Sequence, residues 1–226
     1  MKAEFIPALR FAALTPWYDR VVAWTTRDAT MKARVVDLVA AHPDDRVLDL
    51  GCGTGTLMLA LARQYPDAAL TGVDADPKIL KLAAVKTKQL GVNVQYVPGF
   101  SDALPFPDAH FDIAVSTLFF HHLQPEAKRR TVQELRRVLR PGGRLVIADF
   151  GRAQARWRRA MFNLVRLLDG YPNTRDHAAG TFGAFFLNDA GFIDVQHLMA
   201  LPVLVGSIDF LVARRTVMAC RRPSVP

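Results

Sequence analysis

The sequence predicts an α/β protein with a doubly wound, mostly parallel sheet. Between residues 44 and 150, short apolar runs alternate with segments whose apolar residues recur at helical spacing. Strands separated by helices lie parallel in one sheet and carry helices on both of its faces. A glycine-rich turn directly follows the first strand, and two further strand-like runs close the chain. We treat all 226 residues as a single domain.

Local patterns define each element of this core. The run 111–116 is apolar almost throughout, as expected for a strand covered on both faces. The helix over 77–90 has proline in its first turn and Gly91 just past its end. Pro141-Gly142-Gly143 predicts a turn before the last strand of the core. The predicted strands are 46–50, 69–73, 92–97, 111–116 and 144–150, and the predicted helices are 57–65, 77–90 and 126–139.

The two ends of the chain depart from this alternation. We expect residues 1–40 to form two helices that cap the core, and residues 151–190 to form a helical lid and substrate wall. Within the last segment, 191–216, the runs 192–205 and 208–214 are joined by Gly206-Ser207, a connection typical of a hairpin. The closing strands are therefore antiparallel to each other, which puts one antiparallel strand into the sheet.

Composition and charge exclude several classes of protein. Half of the residues are hydrophobic and 22% are charged, which excludes a disordered chain. Two cysteines cannot build a disulfide framework, so we expect a reducing, cytoplasmic location. We expect no membrane span and no secretory signal, because the longest apolar candidate, 198–205, is short and contains Pro202. The net charge of +8 favours anionic partners, or serves only to keep the protein in solution.

The most informative segment is 47–55, VLDLGCGTG, where a strand runs into three glycines. Glycine tolerates a left-handed backbone and lets a ligand lie against bare main chain, and the helix that follows presents free N–H groups. Asp74 ends the next strand, where a carboxylate can accept hydrogen bonds from both hydroxyls of a ribose. A dinucleotide fingerprint would need glycine at position 56, which is Thr56, and Asp49 would repel a pyrophosphate. The loop instead suits a nucleoside that carries an ammonium group.

These motifs resemble those of the class I S-adenosylmethionine-dependent methyltransferases. VLDLGCGTG and GVDADP are similar to the first two motifs of that family, and LPFPDAHFD, FFHHL and RRVLRPGGRLVIADF agree with later ones. The resemblance covers about residues 44–150 and is to the bacterial branch that includes ubiquinone and menaquinone C-methyltransferases and many small-molecule methyltransferases. It implies a seven-stranded Rossmann-like sheet and S-adenosyl-L-methionine as the cofactor.

The resemblance also implies which residues hold the cofactor. Asp49 and the glycine loop would face its methionine part, Asp74 its ribose and Ala75 its adenine. The family usually places an acid directly after a glycine beyond the third strand, whereas here Phe100 follows that glycine. Either Asp102 takes over the adenine contact or Phe100 packs on the adenine ring. Tyr18, with its neighbour Trp17, either closes over the cofactor or only packs on the sheet. The expected cofactor set is Asp49, Gly51, Cys52, Gly53, Gly55, Asp74, Ala75, Phe100, Ser101, Asp102, Thr117, Leu118 and Tyr18.

His121 and His122 follow the fourth strand, at the edge where ligands gather in open α/β sheets. Either is a candidate general base, because the pKa of histidine lies near neutrality. The alternative is that FFHHL shapes the cofactor pocket and caps the next helix. Adjacent histidines cannot easily face one ion and no second cluster has ligand spacing, so we expect no metal. We expect Cys52 to pack and not to act as a nucleophile.

Two segments after the core suggest partners. Arg152–Arg166 reads as a basic amphipathic helix, which suits an anionic membrane, an RNA backbone or simply a solvated lid. We expect no nucleic-acid partner, since the chain has no further recognition module. The polar stretch 167–177 either orients a polar substrate or is an ordinary surface loop. Its candidate substrate residues are Asp169, Asn173, Arg175, Asp176 and His177.

The sequence therefore predicts methyl transfer from S-adenosylmethionine to a small-molecule or lipophilic acceptor. One alternative is a membrane-associated enzyme that methylates a quinone precursor or a phospholipid. Another is a non-catalytic protein that binds S-adenosylmethionine as a regulator or partner subunit. A nicotinamide-dependent oxidoreductase fits less well, because the glycine spacing differs from that of a dinucleotide loop.

Overall fold

The computed structural model describes residues 26–151, 187, 190–204 and 206–217. Within these residues the chain forms four helices, one 3₁₀ turn and seven strands. The helices are α1 (Asp28–Val39), α2 (Thr56–Gln64), α3 (Pro77–Gln89) and α4 (Pro125–Val138), and the 3₁₀ turn is Phe120–His122. The strands are β1 (Arg46–Leu50), β2 (Ala69–Asp74), β3 (Gln95–Pro98), β4 (Phe111–Thr117), β5 (Leu139–Gly151), β6 (Phe192–Val203) and β7 (Gly206–Arg215).

The seven strands form one sheet in the order β3-β2-β1-β4-β5-β7-β6. Strands β1 to β5 pair in parallel, and β7 runs antiparallel between β5 and β6. This topology confirms the predicted doubly wound, mostly parallel sheet with one antiparallel strand. The chain order reverses on either side of β1, which has β2 on one side and β4 on the other. In an open α/β sheet, the carboxyl ends of the strands at such a reversal form the crevice that receives ligands.

Helices cover both faces of the sheet, and their apolar stripes explain why the central strands are buried. On one face, Val35 of α1 and Leu61 of α2 join one hydrophobic cluster with Val47. On the other face, Val132 and Leu135 of α4 pack with further strand residues in a second cluster. Polar side chains that remain buried at the strand ends are therefore exceptions that call for a functional or structural reason.

The third strand begins later than its sequence predicts. We predicted a strand over 92–97, whereas β3 is Gln95–Pro98. The N–H of Val92 still donates to the carbonyl oxygen of Thr87, at 3.1 Å, and so completes the end of α3. The chain can pair with β2 only after this contact, and the first pair is Thr71 with Gln95.

Two predicted turns are parts of strands. Pro141-Gly142-Gly143 lies inside β5, which begins at Leu139, and the pairing with β4 shifts register between Phe111 and Ile113 to absorb the extra residues. Gly206 and Ser207 are the first residues of β7, so the connection between β6 and β7 comes before them in the chain. The predicted amino-terminal cap contributes α1 to the described residues. Its earlier part and nearly all of 151–190 lie outside them.

Candidate functional site

The glycine loop joins the carboxyl end of β1 to the start of α2 and is held against β2. The N–H groups of Gly51 and Cys52 both donate to the carbonyl oxygen of Val73, at 2.9 and 3.0 Å. Gly51, Gly53 and Gly55 have φ values of +74°, +53° and +72°, in the left-handed region that favours glycine. The loop therefore needs glycine for its turn, as the sequence predicts.

Space around the loop differs from one glycine to the next. A Cβ atom added to Gly51 would collide with the ring of Phe119, and one added to Gly55 would collide with the hydroxyl of Tyr96. A Cβ atom added to Gly53 would meet no described atom within 4 Å. Gly51 and Gly55 are thus required by packing, whereas Gly53 borders open space where a ligand can approach the main chain.

Asp49, in β1 two residues before the loop, is a buried acid without a hydrogen-bond partner among the described residues. The residue is only 1% exposed. Neither carboxylate oxygen has a hydrogen-bond partner among the described residues. Burial raises the pKa of Asp49 to about 7, and the nearby charge of Lys32 limits the rise. Buried polar groups are nearly always hydrogen-bonded, so this carboxylate can accept a donor from outside the described residues.

Lys32 connects α1 to this region, and the sequence patterns did not point to it. Its Nζ lies 2.6 Å from Oδ2 of Asp28 and donates a hydrogen bond to the hydroxyl of Thr56, the first residue of α2. The i, i+4 spacing of Asp28 and Lys32 on a helix was the available signal. The ammonium group therefore has two local acceptors and still lies close enough to Asp49 to lower the pKa of its carboxyl.

Asp74 lies at the end of β2 and also contacts the loop. Its Oδ2 accepts the N–H of Gly53 and its Oδ1 accepts the N–H of Asp76, both at 3.0 Å. Burial raises the pKa of Asp74, and these backbone N–H groups oppose the rise. An ionised carboxylate offers about four acceptor positions, so two hydrogen bonds leave capacity for a further donor such as a hydroxyl.

The residues that follow β3 are divided between two environments. Ser101 lies with its hydroxyl 2.8 Å from that of Thr131, and Asp102 accepts a hydrogen bond from Nε of Arg130 at 3.0 Å. Both partners belong to α4. Phe100 is 50% exposed. The aromatic ring, and not the nearby acid, is therefore the side chain that this segment leaves at the surface.

The end of β4 carries the histidines, and a carboxylate from β5 holds them in place. Nδ1 of His121 lies 2.7 Å from Oδ1 of Asp149, and both residues are 3% exposed. Oδ2 of Asp149 accepts the N–H groups of Phe119 and Phe120, at 3.1 and 2.7 Å. His122 is exposed, and its ring centroid is 3.9 Å from that of His121. One buried acid thus fixes both the turn after β4 and the orientation of one imidazole.

The predicted alternative for FFHHL is wrong in one respect, because these residues do not cap the next helix. Helix α4 begins at Pro125, its N-cap residue is Gln124, and no side-chain hydrogen bond caps it. Thr117 ends β4, and Leu118 follows with φ at +49°, donating its N–H to Ala148 of β5 at 2.9 Å. A left-handed backbone at a non-glycine residue is strained, and such strain collects at functional sites.

Several other predicted features can be located or set aside. Cys52 is buried, and burial together with Asp49 and Asp74 raises the pKa of its thiol, which suits packing and not nucleophilic attack. Across the part of the chain that is described, no cluster of three or more histidine, cysteine or acidic residues is arranged to hold a metal ion. No described helix is long and apolar enough to cross a membrane.

Outside the described residues lie Trp17, Tyr18, Asp169, Asn173, Arg175, Asp176, His177 and the segment Arg152–Arg166.

Comparison with known proteins agrees with this geometry. Residues 47–143 match the model of a methyltransferase domain family. The chain is 36% identical over 143 residues to the demethylmenaquinone methyltransferase of Thermus thermophilus. The central part of the chain is thus similar to methyltransferase domains. The chain is also 33% identical over 136 residues to the ubiquinone/menaquinone biosynthesis C-methyltransferase UbiE of a Shewanella species.

These alignments cover only part of each protein. The match to the Thermus methyltransferase spans 62% of this chain and 64% of that protein, and the match to the Shewanella methyltransferase spans 59% and 53%. Solved structures match more of the chain. YcgJ from Bacillus subtilis has a TM-score of 0.67 at 20% identity, covering 84% of this chain and 99% of that one. A methyltransferase from Methanosarcina mazei has a TM-score of 0.65 at 24% identity, covering 81% and 97%. Both structures share the fold of this chain.

Proposed function

We propose that the chain transfers a methyl group from S-adenosylmethionine to a small-molecule or lipophilic acceptor. The observation that carries the proposal is the buried, unpartnered carboxylate of Asp49 beside a glycine loop that is open at Gly53. A dinucleotide brings a pyrophosphate, which this carboxylate would repel, whereas S-adenosylmethionine brings an ammonium group, which it would pair. When bound, S-adenosylmethionine supplies a sulfonium whose methyl group is already activated for transfer.

The described residues fit this cofactor along the carboxyl ends of β1, β2 and β4. Asp49 would bind the ammonium group, and the main chain of Gly51, Cys52, Gly53 and Gly55 would pack against the methionine part. Asp74 retains acceptor capacity for the ribose hydroxyls. The pairing of Asp102 with Arg130 favours Phe100 as the side chain that packs on adenine. Ala75, Ser101, Thr117, Leu118 and the undescribed Tyr18 complete the proposed set.

The histidine turn is the proposed site of acid–base work on the acceptor. By accepting a hydrogen bond from Nδ1–H, Asp149 selects the tautomer of His121 in which Nε2 is the basic nitrogen. We propose that His121, or the adjacent His122, removes the proton from an acceptor oxygen or carbon atom. The protein must also hold the acceptor in line with the methyl group and exclude water, and such positioning supplies much of the rate in transfer reactions.

The names of two relatives support a lipophilic acceptor. The Thermus protein is a demethylmenaquinone methyltransferase and the Shewanella protein is a ubiquinone/menaquinone C-methyltransferase. Both names denote methyl transfer in the making of a quinone, and the second names carbon as the acceptor atom. We therefore propose a quinone precursor as the acceptor class of this chain, with carbon as the acceptor atom.

Label transfer tests this function. The protein is incubated with a cell extract and S-adenosylmethionine that is labelled in its methyl group, and the organic, aqueous, RNA and protein fractions are separated. We expect label in the organic fraction, and no label when the Asp49→Asn variant replaces the wild type at limiting cofactor. Label in the aqueous fraction would retain methyl transfer but refute the quinone class. Label in RNA or protein, or no label from a protein that binds the cofactor, would refute the proposed function.

The role of the histidines can be separated from that of the cofactor pocket. His121→Ala and His122→Ala are compared for turnover and for S-adenosylmethionine affinity. Removing the general base should slow turnover by roughly 10²–10⁴-fold while cofactor affinity changes little. The other histidine serves as the matched control. Equal losses of turnover and affinity in both variants would show that the turn only shapes the pocket.

A further inference from the structure

The outer face of α3 carries two exposed aliphatic side chains among lysines. Leu82 is 53% exposed and Val85 is 54% exposed. Lys78, Lys81 and Lys88 are exposed beside them. We refer to these five residues as the α3 face. Large apolar side chains exposed in a contiguous patch with a polar rim mark interaction sites more often than scattered ones do.

Helical geometry explains why these five residues share one side of α3. Positions 78, 81, 82, 85 and 88 follow the three- and four-residue steps of a single helix surface. The buried residues Ile79, Leu80, Ala83 and Thr87 lie on the opposite side, toward the sheet. The inner side already accounts for the packing of α3 on the protein. The aliphatic residues of the α3 face are therefore not needed for the core.

The charges of α3 differ from those of α4, which is also basic. On α4, Arg130 pairs with Asp102 and Arg137 pairs with Glu134. The sequence of α3, by contrast, contains no aspartate or glutamate from 77 to 89. In the described part of the chain, no ion pair engages any lysine of the α3 face. Two arginines of α4 are therefore neutralised within the protein. The three lysines of the α3 face are instead left for a partner.

We propose that the α3 face docks the protein on an anionic lipid surface. Lysines on a helix are attracted to anionic head groups, and aliphatic side chains between them can enter the boundary between head groups and acyl chains. The face carries no aromatic side chain on which the bases of a single-stranded nucleic acid could stack. The aliphatic centre therefore favours lipid over RNA. This docking goes beyond the proposed function, and it would bring the protein to the phase in which a lipophilic acceptor dissolves.

Vesicle sedimentation with the full chain tests the charge of the α3 face. Vesicles are made of phosphatidylcholine with or without phosphatidylglycerol. Each lysine near an anionic surface contributes about fivefold in binding, so Lys81→Gln/Lys88→Gln should bind roughly 30-fold more weakly to the anionic vesicles. The matched control is Arg34→Gln/Arg63→Gln, which removes the same charge from exposed positions on α1 and α2. Its binding should change by less than about threefold, since screening limits distant charges.

A second variant tests the aliphatic centre. Leu82→Ser/Val85→Ser keeps every charge and should weaken binding to anionic vesicles several-fold. Both side chains are about half exposed, so these substitutions should leave the free energy of unfolding nearly unchanged. The affinity for S-adenosylmethionine should also stay unchanged, because no residue of the α3 face belongs to the proposed cofactor site.

Three results would overturn the docking proposal. The wild type could fail to bind anionic vesicles, or the α3 variants and the control could lose equal affinity, or the α3 variants could lose affinity for RNA but not for vesicles. Each of these results bears on the docking surface and not on the proposed function. A protein that binds vesicles through α3 but does not bind S-adenosylmethionine would refute the function and keep the docking surface, and the reverse result would do the opposite.

Discussion

Asp49 and Asp149 have the same side chain at nearly the same depth, but the fold treats them in opposite ways. Both lie near the carboxyl ends of central strands, β1 and β5, and they are 1% and 3% exposed. Asp149 accepts hydrogen bonds from His121 and from the main chain of the turn after β4. Asp49 has no hydrogen-bond partner among the described residues. The fold satisfies the hydrogen bonds of Asp149 and not those of Asp49, which agrees with the proposed role of Asp49 in binding a ligand.

The local backbone explains the difference. After β4 the chain curls into the 3₁₀ turn, which aims its N–H groups at Asp149. After β1 the N–H groups of Gly51 and Cys52 donate instead to the carbonyl oxygen of Val73. A buried carboxylate without donors costs free energy, and folds retain such costs mainly at functional sites. This contrast supports the proposal that Asp149 positions a neighbour and that Asp49 binds a ligand.

The largest effect should follow from removing the satisfied acid. Asp149→Ala leaves several buried donors of the turn without an acceptor, so we expect the free energy of unfolding to fall by about 3–5 kcal/mol. Urea unfolding measures this change. Asp49→Asn is the matched variant, and its stability should equal or exceed that of the wild type because a buried charge is removed. Similar losses in both variants would remove the distinction between the two acids.

The next effect concerns cofactor affinity. Asp49→Asn keeps the shape of the side chain but loses the charge that would pair with an ammonium group. We expect the affinity for S-adenosylmethionine to fall by about 2–3 kcal/mol, the scale of hydrogen bonds to charged groups. Isothermal titration calorimetry measures this loss. An affinity equal to that of the wild type would assign the ammonium group to another residue.

The smallest expected effect concerns the loop that lies between the two acids. Gly51→Ala and Gly53→Ala both place a side chain at a left-handed φ, which costs roughly 1–2 kcal/mol. Gly51 also contacts Phe119, in the turn that Asp149 holds, so its variant should lose more stability. Gly53 borders open space, so its variant should lose mainly cofactor affinity. Thermal unfolding and calorimetry on both variants distinguish these outcomes, and identical behaviour would contradict the packing argument.

Much of the fold and of the cofactor side of the candidate site is predictable from local sequence. Alternating strand and helix periods define the order of the elements, and the three glycines show where a left-handed backbone is needed. Asp49 lies two residues before that loop, and Asp74 ends the strand that follows it. These predictions succeed in position because they depend on neighbours in the chain.

The features that sequence missed depend on contacts between distant residues. Asp149 and His121 are 28 residues apart in the chain. They meet only because β5 pairs with β4. Likewise Asp102, one of the two candidates for the adenine contact, accepts a hydrogen bond from Arg130 of α4. The start of β3 moved because α3 uses Val92 to finish its last turn. Such tertiary contacts override local patterns and leave no periodic signal.

The pH dependence of cofactor affinity tests the central claim, that Asp49 is held for a cationic ligand. Burial raises the pKa of Asp49 from 3.8 to about 7. Without ligand, the folded protein therefore holds a proton that the unfolded chain releases, and the contribution of Asp49 to stability falls as the pH rises from about 4 to 7. Binding of an ammonium group favours the ionised carboxylate. The affinity for S-adenosylmethionine should therefore rise over the pH range in which this contribution to stability falls.

Calorimetric titrations of S-adenosylmethionine into the wild type and Asp49→Asn, made across this pH range, supply the measurement. We predict that the wild-type affinity rises up to about tenfold for each pH unit below 7 and then levels off. Asp49→Asn should bind weakly, with little change over the same range. A flat profile for the wild type, or the same slope in Asp49→Asn, would contradict the assignment of Asp49 as the residue that binds the cofactor's ammonium group.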